Sequence, residues 1–425
     1  MNVRILKIDI TPSVGVELCG FAIRNQPSTF KHDNLYCKVL FLDDGEDRIV
    51  LMQFDIIGFN TSYSQKFRER LSSFLKLPVS HIQIFASHTH SGPCSLNLNA
   101  CGKYDQDYLA FMEGLVFSKL GSERDNPQIG VDCSPEWFET RVGLGMNRRN
   151  RLQSRTSDKL GVLSFQDSNG DYFALLVNYP MHPVCISDQG ISADYPGRLA
   201  AILGKELPGN PEVLFGLGPS GDIDPPGVGV SYDQMLDWSQ FLARQVLHLL
   251  ESSGSEKNGI TEIRQSFISW PMEIMDEQQM DSQEEILLSK KENFQEFGDN
   301  YQLAVELWRK HRKADIEGEA SITITLSIDR IRIGSLNLVF LNAELFSFFT
   351  DLVQAPQKHQ KSFSKLPTDD HYCLITCANG VIGYLPDLEQ YQTGGYEVET
   401  SHIFYDSFRI VPGALEKVAE ELLRN

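Results

Sequence analysis

No run of roughly eighteen consecutive apolar residues occurs in this 425-residue chain, so the sequence predicts no membrane-spanning helix. The opening stretch, MNVRILKIDITPSVG, has neither a long apolar segment nor a small-residue cleavage site. It reads as mature protein without a secretory signal, which points to the cytoplasm. Positive charge is scarce: 38 Lys and Arg stand against 57 Asp and Glu, a formal net charge of −19. The densest basic cluster is NRRNR, Asn147–Arg151. Nucleic acid is therefore excluded as an expected partner, and acidic membrane surfaces would be repelled. Solubility accounts for such acidity. There is no C-x-x-C pair among the eight cysteines, and a chain of this length needs no disulfide staples, so free thiols in a reducing compartment are expected. Internal repeats and long low-complexity runs are also missing. Histidine is scarce, with ten in the chain, and two of them fall together in FASHTHSGP, Phe85–Pro93.

What is present is a recurring pattern, an apolar strand that ends in a chemically capable cluster. Arg48–Ile57 ends near Asp55, and His81–His90 ends in two histidines. Tyr172–Pro183 ends in His182, and Glu212–Pro226 runs into a Gly/Pro/Asp loop. Ile331–Phe346 ends around Glu344, and His371–Pro386 ends near Tyr384. Continuous apolar runs of this kind suit strands covered on both faces, and ligands commonly bind outside the carboxyl ends of such strands. Between them, helical spacing marks Ser62–Leu77, Tyr195–Leu207 with Pro196 in its first turn, Tyr232–Ser253 and the carboxyl-terminal segment. The strongly charged Ser282–Asp315 reads as one or two surface helices. Glu251–Gly259 is polar and reads as a loop, with candidate site residues on both sides of it. The expectation is a single large α/β domain over residues 1–425, with mixed β-sheets between outer helices and a helical insertion at about 280–316.

Side chains two apart on a strand share a face, so His88 and His90 can converge if the strand runs through them. A histidine pair alone is weak evidence for a metal and more often a hydrogen-bonded strand end. Adding His182 and Glu344 gives histidines and a carboxylate at strand ends, the donor set of catalytic zinc with one position left for water. A divalent ion in such a site acidifies water and polarises a carbonyl. Cys94 and Cys185, close to these motifs, are candidate ligands or small buried fillers.

SHTHSGP (Ser87–Pro93), NYPMHP (Asn178–Pro183) and GPSGDIDP (Gly218–Pro225) together resemble the neutral/alkaline (non-lysosomal) ceramidase family, in its catalytic N-terminal domain. HDNLYCKVLFLDDG (His32–Gly45), GMNRRN (Gly145–Asn150) and GYLPDLEQYQTGGYE (Gly383–Glu397), with its two tyrosines twelve residues apart, are similar in the same order. The matches run collinearly from about Ile8 to Phe404. The resemblance implies a zinc amidase with one Zn²⁺ held by His88, His182, Glu344 and Tyr384. It also implies His90 beside the reacting water as proton shuttle, with Tyr396 and Arg148 at the developing oxyanion. Asp55 and Asp194 could orient ligand imidazoles or serve as caps and turns. Asp222 holds its own loop by local hydrogen bonds, and whether it faces the metal stays open.

The chain departs from the family pattern where an active-site serine is expected. Gly218 stands there, followed by Pro219, with Ser220 two residues later. The immunoglobulin-like domain that follows the family's catalytic domain is not expected here. A small N-acyl amide, lactam or ester fits these departures better than ceramide itself. The main expectation is thus a zinc-dependent hydrolase of an amide C–N bond. Two alternatives stay open. One is a cyclase or acyl-transfer enzyme, for which Gly218 would enlarge the pocket. The other is a non-catalytic ligand-binding homologue, against which stands a competent residue at every matched metal position. Oligomeric state is not legible.

Overall fold

Along the strand Tyr36–Asp43, Val39 and Phe41 enter one hydrophobic core while Leu40 and Leu42 enter another. That is the two-residue period of a strand buried on both faces, each such side chain contributing roughly 1.5–3 kcal/mol of transfer free energy. The same holds for Arg48–Phe54, Tyr172–Tyr179, Glu212–Leu217 and Leu336–Leu341, whose residues are nearly all buried. The computed structural model describes residues 1–125, 130–149, 158–257, 259–272, 275–317, 323–354 and 370–424. Asn150 and Arg151 of the basic cluster lie outside them.

Three mixed sheets carry the chain. The first orders Ile82–Ala86, Arg48–Phe54, Tyr36–Asp43, Asn2–Asp9 and Val131–Asp132. The second orders Glu212–Leu217, Tyr172–Tyr179, Lys159–Gln166, Ser134–Arg141 and Ser255–Glu256. The third orders Ile260–Pro271, Thr323–Ile333, Leu336–Leu341 and His371–Ile375. Each sheet is antiparallel except for one parallel pair at its edge. These pairs are Arg48–Phe54 with Ile82–Ala86, Tyr172–Tyr179 with Glu212–Leu217, and Leu336–Leu341 with His371–Ile375. Side chains from all three sheets, among them Leu40, Phe85, Leu163, Leu176, Leu338 and Ile375, form a single inner core.

Residues 376–379 stitch the three parallel pairs together. Thr376 N donates to Leu217 O, Ala378 N to Leu341 O and Asn379 N to Ile84 O, at 2.8, 2.9 and 2.7 Å. The carboxyl ends of the six paired strands are thereby drawn to one region.

Helices cover the outside. Thr61–Leu75, Asp194–Glu206 and Tyr232–Leu250 lie where the periodicity places them. Gln106–Asp125 was not marked by the sequence pattern, because its apolar residues run round the helix and Gly114 and Gly121 interrupt it. The charged segment forms Glu277–Ser289 and Asp299–Glu317, joined by the 3₁₀ turn Lys291–Phe297. Its start is set by a capping box, in which Asp276 accepts from Gln279 N at 2.8 Å and Gln279 returns the bond at 2.9 Å. The expected loop Glu251–Gly259 is shorter than its composition suggested: Ser255 and Glu256 pair with Trp137 and Glu136 as an edge strand. Asn258 is outside the described residues. No described helix is long and apolar enough to cross a membrane.

Candidate metal and active site

The strand Ile82–Ala86 stops before the two histidines. Ser87 N and His88 N still donate to Phe54 O and Ile56 O, at 2.8 and 2.9 Å. His88 then turns the chain with φ of 68°, a left-handed conformation that is costly for a residue with a Cβ and is found preferentially at functional sites. The expected same-face alternation through His88 and His90 is therefore not how they converge. The turn at His88 brings both rings to one point.

His182 arrives from the second sheet, three residues beyond Tyr179, with its N–H donated to Ile223 O at 2.9 Å. The Nε2 atoms of the three histidines form a triangle. His88 and His182 are 3.1 Å apart, His182 and His90 3.3 Å, and His90 and His88 3.4 Å. Nitrogens bound to one tetrahedral zinc at ~2.0–2.1 Å would stand ~3.3–3.4 Å apart. These three buried nitrogens could hold a metal ion.

Their other ring nitrogens differ. His88 Nδ1 lies 2.5 Å from Ile57 O, and His182 Nδ1 lies 3.4 Å from Ser220 O. A carbonyl only accepts, so both Nδ1 atoms carry a proton and both Nε2 atoms face inward. His90 Nδ1 packs on the backbone of Gly20, whose φ is 98°. A Cβ at Gly20 would lie 2.4 Å from that nitrogen, so only glycine fits. Burial, then His88, push His90 well below the usual histidine range and His182 down to about 3. Burial opposes the charge on His88 as well, but Cys377 and Glu344 outweigh it and raise His88 well above that range.

Glu344 comes from the third sheet. Glu344–Leu345 pairs in parallel with Tyr384–Leu385, placing Glu344 opposite Tyr384. Residues in register across such a pair project to the same side. Glu344 Oε2 lies 3.5 Å from His88 Nε2 and 3.7 Å from His182 Nε2. Oε1 accepts from the Tyr405 hydroxyl. Burial opposes the charge on Glu344, but His88, His182 and Tyr405 outweigh it and bring its carboxyl down to about 2. Burial and Glu344 together hold the Tyr384 phenol well above its ordinary pKa. Tyr384 packs edge-on against both Tyr396 and Tyr405.

The remaining sequence candidates take these places. Asp55 accepts from Tyr36 N and Gln53, at 2.9 and 2.7 Å. Asp194 accepts from Ile186 N and Tyr195 N at 3.1 and 2.7 Å. Neither bonds a triangle imidazole: the Ile57 and Ser220 carbonyls serve His88 and His182. Ser220 thus meets the site through its backbone. Asp222 accepts from Ser347 N, Ser347 Oγ and Asn147 Nδ2, at 2.6, 2.8 and 2.8 Å, and burial lifts its pKa to about 6. It joins the segments carrying Glu344 and Arg148. A Cβ at Gly218 would meet Pro180 at 3.1 Å, so this glycine permits a close backbone approach and opens no room for substrate. Arg148 donates to Glu397, Asp224 and Gly221 O, at 2.7, 3.1 and 2.7 Å. Tyr396 opens the short helix Tyr396–Glu399, its ring against Tyr384, Phe297 and Phe404. Cys185 hydrogen-bonds Asp194 and Cys94 faces the Glu17 carbonyl, both as buried fillers.

Sequence reasoning missed Tyr405, Arg24 and Cys377. Arg24, buried, donates to the backbone of Ile186, Ser187 and Asp188 on the loop after His182, and to His90 O and Ser91 Oγ on the other histidine loop. Cys377 Sγ is 3.4 Å from His88 Nδ1. Of these three, Arg24 alone left a sequence signal, an arginine among apolar residues in GFAIRNQ.

No protein-family model matches the chain. Its structure superposes on neutral ceramidase from Pseudomonas aeruginosa with a TM-score of 0.72 and 15% identity, over 99% of this chain and 73% of that one. The chain shares the neutral ceramidase fold. A ceramidase complexed with C2 matches with the same score and identity, over 99% of this chain and 74% of the other. The mixed α/β architecture expected from the strand pattern is the one observed, and at this identity the likeness speaks for fold.

Proposed function

We propose that this chain is a zinc-dependent hydrolase of an amide C–N bond in a small N-acyl substrate. The observation that carries the reading is the convergence of the His88 and His182 Nε2 atoms on Oε2 of Glu344, each imidazole backed by a carbonyl on its Nδ1. Two imidazoles and a carboxylate suit zinc, and Tyr384, in register with Glu344, would complete the donor set. Zinc bound there would acidify water and polarise the scissile carbonyl.

The other residues act as follows. His90, kept neutral with its Nδ1 against the Gly20 backbone, could take a proton on Nε2 and deliver it to the departing amine. Tyr396 donates to the oxygen on which charge develops. Arg148, with donors committed to Glu397, Asp224 and Gly221, holds the Tyr384–Glu397 segment against the Asp222 loop, and its charge beneath the Tyr384 ring, 5.5 Å from the centroid, supports that oxygen from behind. The amide chemistry rests on the ceramidase neighbours together with the donor set. The cyclase alternative drew on a pocket enlarged at Gly218, and the Pro180 contact removes that support.

The test is metal analysis of the purified chain followed by an N-acyl amide panel scored for released amine. Zinc near one equivalent, with turnover lost in His88→Ala and His182→Ala, is the expected outcome. Protein that holds no divalent metal, and whose stability and turnover ignore chelators, would end the proposal. Zinc without turnover would favour the ligand-binding homologue.

A further inference from the structure

A cleft of about 660 Å³ opens beside the strand Tyr36–Asp43 and the helix Asp194–Glu206, lined by none of the triangle residues. Its volume is in the range of small-molecule sites. Three carboxylates line it, Asp33, Asp55 and Glu212, and all are served. Asp33 accepts from Ala193 N, Ser192 Oγ and Tyr232 OH, at 2.7, 2.9 and 3.0 Å. Asp55 is held by Tyr36 N and Gln53, and Glu212 pairs with Lys7 at 3.2 Å.

The donors on the same wall are not served. Arg198 Nε is buried without an acceptor. Lys205 makes no ion pair among the described residues. Lys38, 4% exposed, has three N–H groups and one acceptor, the Val213 carbonyl at 2.6 Å. Arg198 and Lys205 are seven residues apart on one helix and so share a face, with the small Ala201 and Gly204 beside them. The cleft's carboxylates are thus already engaged, while Arg198, Lys205 and Lys38 keep donors to spare. Burial lowers the Lys38 pKa, with Asp55 the first offsetting charge, and an anion in the cleft would favour its ammonium form.

We propose that this cleft is a second binding site, for a small-molecule oxyanion bearing a phosphate or a carboxylate that Arg198, Lys205 and Lys38 recognise. The site is independent of the metal centre. Titration calorimetry of the full chain, with inorganic phosphate and separately with glutarate at an ionic strength fixed by potassium chloride, reads it. Saturable binding of one or both is expected, and the tighter of the two names the group. The double variant R198Q/K205Q should bind roughly tenfold more weakly or worse, since two charge-assisted contacts are removed. Lys66→Gln, exposed on another helix, and His88→Ala should bind as the parent does. If the double variant unfolds, Lys205→Gln alone, at an exposed position, should still weaken binding measurably. The proposal is overturned if neither anion binds, if the Arg198 and Lys205 variants bind undiminished, or if His88→Ala abolishes binding.

Discussion

Tyr405 does for Glu344 what the Ile57 and Ser220 carbonyls do for His88 and His182. Its hydroxyl occupies Oε1, so Oε2 faces the two imidazoles without competition. Outer partners of this kind typically change metal affinity ~10–100-fold when removed. Tyr405→Phe should therefore weaken zinc retention by about that range in a chelator competition, with the fold intact by circular dichroism. Unchanged affinity would show that Glu344 needs no such support. At this scale the sequence was informative about residues that carry their own signal. His88, His182 and Glu344 each follow an apolar run, and the structure brings them together. Tyr405 carries no such mark, and Arg24 only that of an arginine among apolar residues. Their roles consist of a contact to a residue 61 positions away and of bonds to loop carbonyls, which no local pattern encodes. The basic cluster misleads in the opposite direction. Arg148 and Arg149 look like a surface patch in one dimension, yet both bind the buried Glu397.

Among the elements, the strands were legible because double burial leaves continuous apolar runs, and their ends were legible because turn residues follow. The backbone beyond those ends was not. His88 leaves the strand geometry through a positive φ that the residue type does not announce, since histidine is no glycine. The opposite error arises at Gly218, where a missing side chain suggested extra room. In the structure the end of Glu212–Leu217 runs so close to Pro180 that an added Cβ would sit at 3.1 Å. Gly218→Ser is then an overpacking change, which typically costs ~1–3 kcal/mol. Thermal or urea unfolding should show a loss of that order while KM for an amide substrate stays near the parent value. A raised KM at unchanged stability would mean the new hydroxyl points to substrate after all.

For the molecule as a whole, three sheets with the same edge arrangement meet at residues 376–379. That recurrence is invisible in the sequence because strand pairing conserves burial and direction, not residue identity. The helical cover adds a feature with a measurable consequence. His402, in the short helix Ser401–Phe404, is 5% exposed, lies edge-on to Trp308 and has no hydrogen bond on either ring nitrogen. Burial, then Arg409, Lys290 and Arg312, lower its pKa to about 3. The folded chain thus refuses a proton that the unfolded chain accepts below ~6.5. For a base shifted this way stability is complete above the unfolded pKa and is lost as pH falls from there towards 3. Between pH 7.5 and 5.0 the loss from this one group is about 2 kcal/mol. His402→Phe keeps the ring on Trp308, breaks no hydrogen bond and removes the titration. Its urea-unfolding free energy should therefore fall by about 2 kcal/mol less than the parent's over that interval, the other titrating groups contributing equally to both. Parallel pH profiles for the two proteins would place a proton or an ordered partner on His402 in the folded state.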